Sequence, residues 1–99
     1  MGEQTLGLAV RELDRNFVGR LEIPQDVQGV VISRVDPTGP GFQALLRRGF
    51  VIMEINRRAI RSVADFEQQV GTARPGEVLT LYVYDPTVAQ RSLVTITVE

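Results

Sequence analysis

Leu6-Gly7-Leu8-Ala9-Val10-Arg11-Glu12-Leu13 opens the patterned part of the chain. Leu6, Leu8 and Val10 recur at every second residue, which puts them on one face of a strand. Gly7 sits at the start of that strand, where a missing Cβ lets the backbone turn sharply and approach a neighbour closely. The expected element is a strand entered through a small apolar loop.

Working outward, the stretch from Asp14 to Gly29 is looser. An Asp14 cap would place Phe17 and Leu21 four apart on a short turn of helix that Pro24 ends. Val30 to Val35 is β-branched enough for a second strand, and Asp36-Pro37-Thr38-Gly39-Pro40-Gly41 punctuates it. Phe42, Leu45 and Leu46 then fall on one helical face, with Arg47 and Arg48 suited to the helix C-terminus and Gly49 to a left-handed cap. Phe50 to Ile55 reads as a third strand. Asn56-Arg57-Arg58 turns the chain, and Ala59-Ile60 pairs briefly.

Ser62, with Asp65 three residues later, resembles a capping box. Val63, Phe66, Val70 and Ala73 share the apolar side of the helix that follows, and Pro75-Gly76 ends it. Val78 to Tyr84 and Leu93 to Val98 alternate as strands across a turn containing Asp85-Pro86, which makes them hairpin partners. The expected class is α+β, mainly β: a five- or six-stranded, partly open barrel or sandwich capped by two helices.

The 99 residues fit one domain, and 43% hydrophobic against 23% charged residues fits a folded chain. With 11 basic and 12 acidic residues the net charge is -1, so the surplus of positive charge that a nucleic-acid binder needs is missing, and no nucleic-acid partner is expected. Every basic residue is Arg. Without His, Lys or Cys there is no imidazole base, Ser-Lys dyad or thiolate, and no disulfide to indicate a compartment. Asp14, Asp26, Asp36, Asp65 and Asp85 are scattered among caps and turns, and no calcium-loop spacing occurs. No catalytic residue, metal site or cofactor is therefore expected. No apolar run is long enough for a membrane span, and Met1-Gly2-Glu3-Gln4 lacks the features of a signal peptide, so direct membrane insertion is not expected either.

The ordered set Leu6-Gly7-Leu8, Gly29-Val30-Val31-Ile32 with Val35-Asp36-Pro37, Gly49 with Val51-Ile52 and Ile55-Asn56, and Ser62-Val63-Ala64-Asp65-Phe66 resembles a PDZ domain. More narrowly, it resembles the bacterial, circularly permuted PDZ domains of Deg/HtrA serine proteases. The opening strand, followed by Leu21-Glu22-Ile23-Pro24, looks most like the second, C-terminal PDZ domain of that family. Three features depart from the pattern. Phe50 stands where the family usually has Asp, Arg57 where it usually has Gly, and the segment Gly39 to Leu46 is bulkier. A retained turn geometry would hold Arg57 in a left-handed conformation, and Phe50 would be either core or a contact patch.

The resemblance implies residues 6–99 as the PDZ domain and residues 1–5 as a tag remnant or flexible N-terminus. It also implies a non-catalytic peptide-binding module of a protease whose catalytic domain lies elsewhere. An extended peptide or C-terminus would add as a strand beside Leu6, Gly7, Leu8, Ala9 and Val10. Val70 would help form an apolar pocket for the terminal side chain, while Val63 and Glu67 would face positions further up the peptide. The alternative is a structural or inter-subunit domain that controls protease assembly without binding free peptide. Implied partners are C-terminal or extended peptide segments, unfolded protein substrates, and neighbouring protease or PDZ domains. The implied location is periplasmic or cell envelope.

Overall fold

The alternation read along the chain becomes a six-stranded antiparallel sheet in the computed structural model, which describes residues 6–13, 23–24 and 26–98. The elements are β1 (Leu8–Glu12), β2 (Val30–Val35), α1 (Pro40–Gln43), β3 (Val51–Ile55), β4 (Arg58–Ala59), α2 (Val63–Gly71), β5 (Val78–Asp85) and β6 (Gln90–Thr97). Their order across the sheet is β1-β2-β3-β5-β6, with β4 paired to β3. The sheet and its two capping helices make the mixed α+β fold expected. The helix turn expected over Asp14 to Leu21 and the segment 1–5 lie outside the described residues.

Period-two alternation gives the sheet two apolar faces. Ile32, Ile52, Leu79, Leu81 and Val83 face one way, joining Leu6, Leu8, Phe66, Val70 and Ile96 in the main core. Their neighbours Val31, Val51, Met53 and Tyr84 face the other way, under Ile23 and Val27. Ile23 and Val27 thus cover part of the second face, and Arg91 of β6 clasps the exposed Asp26 between them at 2.9 Å. Phe66 is buried, and Phe50 is half-buried against the main core rather than an exposed patch.

The segment after β2 departs from the expected helix. Only Pro40–Gln43 is helical, and Phe42, Leu45 and Leu46 do not share a buried face: Leu46 is buried, whereas Leu45 is 72% exposed. Leu45 takes φ +68, its N–H donates to the Phe42 carbonyl, and the Leu46 N–H donates to the Gly41 carbonyl, each at 3.0 Å. These two bonds form a Schellman ending with leucine where glycine is usual, a geometry that turns Leu45 out and Leu46 in. Arg47 completes the ending. Its guanidinium donates to the Leu46 carbonyl at 2.8 Å and stacks 4.3 Å from the Phe42 ring centroid. Gly49, at φ +96, is consequently no helix cap; its N–H donates to the Ile32 carbonyl and turns the chain into β3.

Other boundaries move by a few residues. β3 begins at Val51 rather than Phe50, and Arg58–Ala59 forms the short strand in place of Ala59-Ile60. β6 begins at Gln90 because pairing with β5 runs unbroken from Val78↔Thr97 to Asp85↔Gln90. Asn56 and Arg57 both adopt positive φ, +51 and +69, so Arg57 holds the left-handed turn that glycine usually fills.

Candidate functional site

Gly7 fixes the start of β1 by geometry that a side chain would disrupt. It adopts φ +70, and a Cβ placed on it would lie 3.0 Å from Gly39 Cα. Gly39 is as constrained by Gly7, so two backbones touch where the β2–α1 loop meets the β1 turn. The Asp36 N–H donates to the Gly7 carbonyl at 2.8 Å and locks this contact. Asp36 in turn accepts from the Thr38 N–H at 3.0 Å and the Thr38 hydroxyl at 2.9 Å. Those bonds hold its carboxyl below the usual carboxylate range, the backbone N–H being the larger cause. Gly41 completes the close packing, since a Cβ there would run into Leu8 Cδ2.

The direction of the β1 backbone groups follows from these contacts. Gly7 C=O is taken by Asp36 and Ala9 C=O by the Ser33 hydroxyl at 3.1 Å, so both point toward β2 and its loop. Successive backbone groups alternate in a strand, so Leu8 and Val10 direct theirs to the opposite, outer edge. β1 pairs only with β2 among the described residues. Its outer edge is therefore open there, and Ser33 of β2 is skipped in the pairing between Ala9 and Val10, a bulge on the inner partner.

Helix α2 stands beside that edge. Ser62 caps it, accepting from the Asp65 N–H at 3.1 Å, while Asp65 accepts from the Arg61 N–H at 3.1 Å. The expected capping box is therefore present, with Asp65 reaching one residue before the cap. Val63, Glu67 and Val70 recur at helical spacing on one side. Val70 is buried, Val63 half-buried and Glu67 exposed. Leu6, just before β1, and Leu8 are buried, and Ala9 and Val10 are half-buried. Leu6, Leu8, Val70, Val10 and Val63 belong to or pack against one core cluster, so strand and helix share an apolar seam. Leu8 and Val70 are each only 1% exposed, which closes the seam at its Gly7 end.

Glu12 reaches from strand to helix, a contact with no local signal along the chain. Glu12, the last residue of β1, places both carboxylate oxygens 3.2 Å from the Val63 N–H, the first helical N–H of α2. A free N–H at a helix start attracts a carboxylate, but a separation of 51 positions along the chain hides this pairing from any local pattern.

Among the described residues no cluster of His, Cys, Asp or Glu could hold a metal ion. No described helix is long and apolar enough to cross a membrane.

Among the described residues, an unpaired edge of β1 beside a capped helix, reached through a glycine turn, defines a class of sheet-and-helix module. The PDZ domain family matches residues 4–97, and the chain belongs to that family. It corresponds to a PDZ domain and not to a protease catalytic domain, and it is homologous to the PDZ domains of HtrA-family proteases. An HtrA-type protease, AlgW, solved with a decapeptide, superposes with TM-score 0.82 at 26% identity, covering 94% of this chain and 28% of that one. The HtrA3 PDZ domain bound to a phage-derived ligand (FGRWV) shares the fold at TM-score 0.78 and 22% identity, covering 95% of this chain and 83% of that one. A serine endoprotease from Yersinia pestis gives TM-score 0.71 at 23% identity, with 95% and 28% covered. The chain thus spans just over a quarter of the AlgW protease it matches. No curated protein matches it significantly.

Proposed function

We infer that this domain binds extended peptides, preferentially free C-termini, by strand addition along the outer edge of β1. The observation that carries this reading is the parity of that strand. The backbone groups of Leu8 and Val10 face an unpaired edge beside α2, where a peptide strand can bond to them. The N–H groups around Leu6, Gly7 and Leu8 would receive the terminal carboxylate, and Leu6, Leu8, Val10 and Val70 the terminal side chain. Val63 and Glu67 would meet residues further upstream. An apolar terminal residue is expected, because burying one such side chain contributes about 1.5–3 kcal/mol whereas an unpaired charge there is costly.

Affinity is expected to be modest. Each added backbone bond contributes about 1 kcal/mol net, and peptide ordering opposes it. Leu8 and Val70 are already buried without a peptide, so making room for a terminal side chain adds a further cost. Dissociation constants of roughly micromolar order follow.

The parent is proposed to be a periplasmic or cell-envelope serine protease of the Deg/HtrA type, carrying this domain as its second PDZ copy and presenting unfolded protein segments to a catalytic domain elsewhere in the protein. The closed seam at Leu8 and Val70 favours a second reading, in which the domain mainly contacts neighbouring protease or PDZ domains and controls assembly. Titration with peptides ending in Val, Leu or Phe, with amidated copies as controls, separates the two. Saturable amide shifts at Leu6 to Val10 and Val70, weakened by amidation, are expected. No response at these positions would refute peptide capture and leave the assembly role.

A further inference from the structure

We propose that Glu12 is a specificity-determining residue that makes the groove select peptides with a basic side chain three or four residues before the terminus. This rests on the strand-addition reading above. A peptide whose C-terminus lies at the Gly7 turn runs antiparallel to β1, so its upstream part passes Glu12. From Leu8 to Glu12 is four residues, roughly 13 Å at strand rise, which corresponds to three or four peptide residues.

Glu12 lies at period two from Leu8 and Val10, so the three share one side of β1 and face the α2 seam. Opposite them run Val63, Glu67 and Val70. Of these six groove positions two are charged, and both are acidic. Arg11 alternates to the other side of the strand.

The Glu12 carboxylate is also held in place. Both of its oxygens rest on the Val63 N–H, and the carboxylate remains exposed. A fixed carboxylate can accept a guanidinium or ammonium group without first losing side-chain freedom, and each oxygen keeps a lone pair beyond the one turned to the helix. An acidic peptide residue at the same place would meet two like charges.

Peptides sharing one apolar terminal residue and differing only in Arg, Gln or Glu at both upstream positions test this on the intact chain. Roughly two- to fivefold tighter binding of the Arg peptide than the Gln peptide is expected at low salt, with the Glu peptide weaker still. The ranking should collapse in Glu12→Gln, whose amide oxygen still accepts from Val63 and holds the helix, as an unchanged Val63 amide resonance would report. Equal affinities in the wild-type chain would overturn the proposal, as would a ranking that survives in Glu12→Gln. Absence of binding by all three peptides would instead overturn the strand-addition reading, and the proposal with it.

Discussion

The sheet ends in two strands that differ in everything except having an unpaired side among the described residues. β1 is five residues long, paired with β2 across a register shift, entered through the Gly7 turn and faced by α2. β6 is eight residues long and pairs with β5 without interruption. Pro40, Gln43 and Ala44 of the α1 region lie against Thr95 to Thr97, and Leu93 is 71% exposed. Both present backbone donors and acceptors, so hydrogen-bonding capacity does not distinguish a receptor edge from a plain one. What distinguishes β1 is its surroundings: buried apolar residues, a helix alongside and the Gly7 turn at one end.

The largest effect on this contrast is expected from Gly7→Val. A β-branched residue at φ +70, pressed against Gly39, should cost about 3 kcal/mol and lower the melting temperature by more than 10 °C. Peptide shifts at β1 should vanish in the fraction that still folds. Retention of wild-type stability would show that the turn is not what sets β1 apart.

Val70→Ala should cost about 2 kcal/mol in denaturant unfolding, because it opens a small cavity against Leu8. The same space should shift peptide preference from terminal Val toward Phe. A preference that does not move would place the terminal side chain away from Val70.

Acid should loosen both the β1 start and the β6 edge. The Asp36 carboxyl is lowered in the folded protein by Thr38, so its contribution is complete above the usual carboxylate pKa of about 3.9 and is lost as pH falls through the lower folded value. Asp26, lowered chiefly by its hydrogen bond from Arg91, follows the same sign at the other edge. Hydrogen exchange below pH 4 should accelerate at the amides around Gly7 in wild type, and Asp36→Asn should remove that dependence. Acceleration confined to β6 would show that Asp36 does not hold the β1 start.

The smallest effect is expected at β6 itself. Leu93→Thr should change stability by less than about 0.5 kcal/mol and leave peptide titrations untouched, since the side chain is largely in water. A loss of peptide binding there would dissolve the distinction between the two edges.

Legibility in the sequence followed the range of each interaction. Ser62 and Asp65 announced the start of α2 because their bonds span three or four residues. Val30 to Val35 and the β5–β6 hairpin were readable because alternation is a property of neighbours. The α1 ending was misread because Leu45 adopts a conformation that its residue type disfavours, held there by the packing of Leu46 and the reach of Arg47. In the site, Leu6, Gly7, Leu8, Val10 and Val70 were nameable from pattern and resemblance. Glu12 was not, since its partner is a backbone N–H on a distant helix and carries no side-chain signal.

The sequence alone determined the alternating strands, the capped helix, the glycine at the turn and the absence of imidazole, amine and thiol nucleophiles, because each depends on residue type or on contacts within a few positions. Only the tertiary structure decided which strands end the sheet, that Leu8 and Val10 turn their backbone groups outward, that Gly39 is the surface Gly7 must approach, and that Glu12 reaches the start of α2. Those facts arise from segments that are far apart in the chain and brought together by burial of a shared core, and local chemistry carries no record of which distant segment will be opposite.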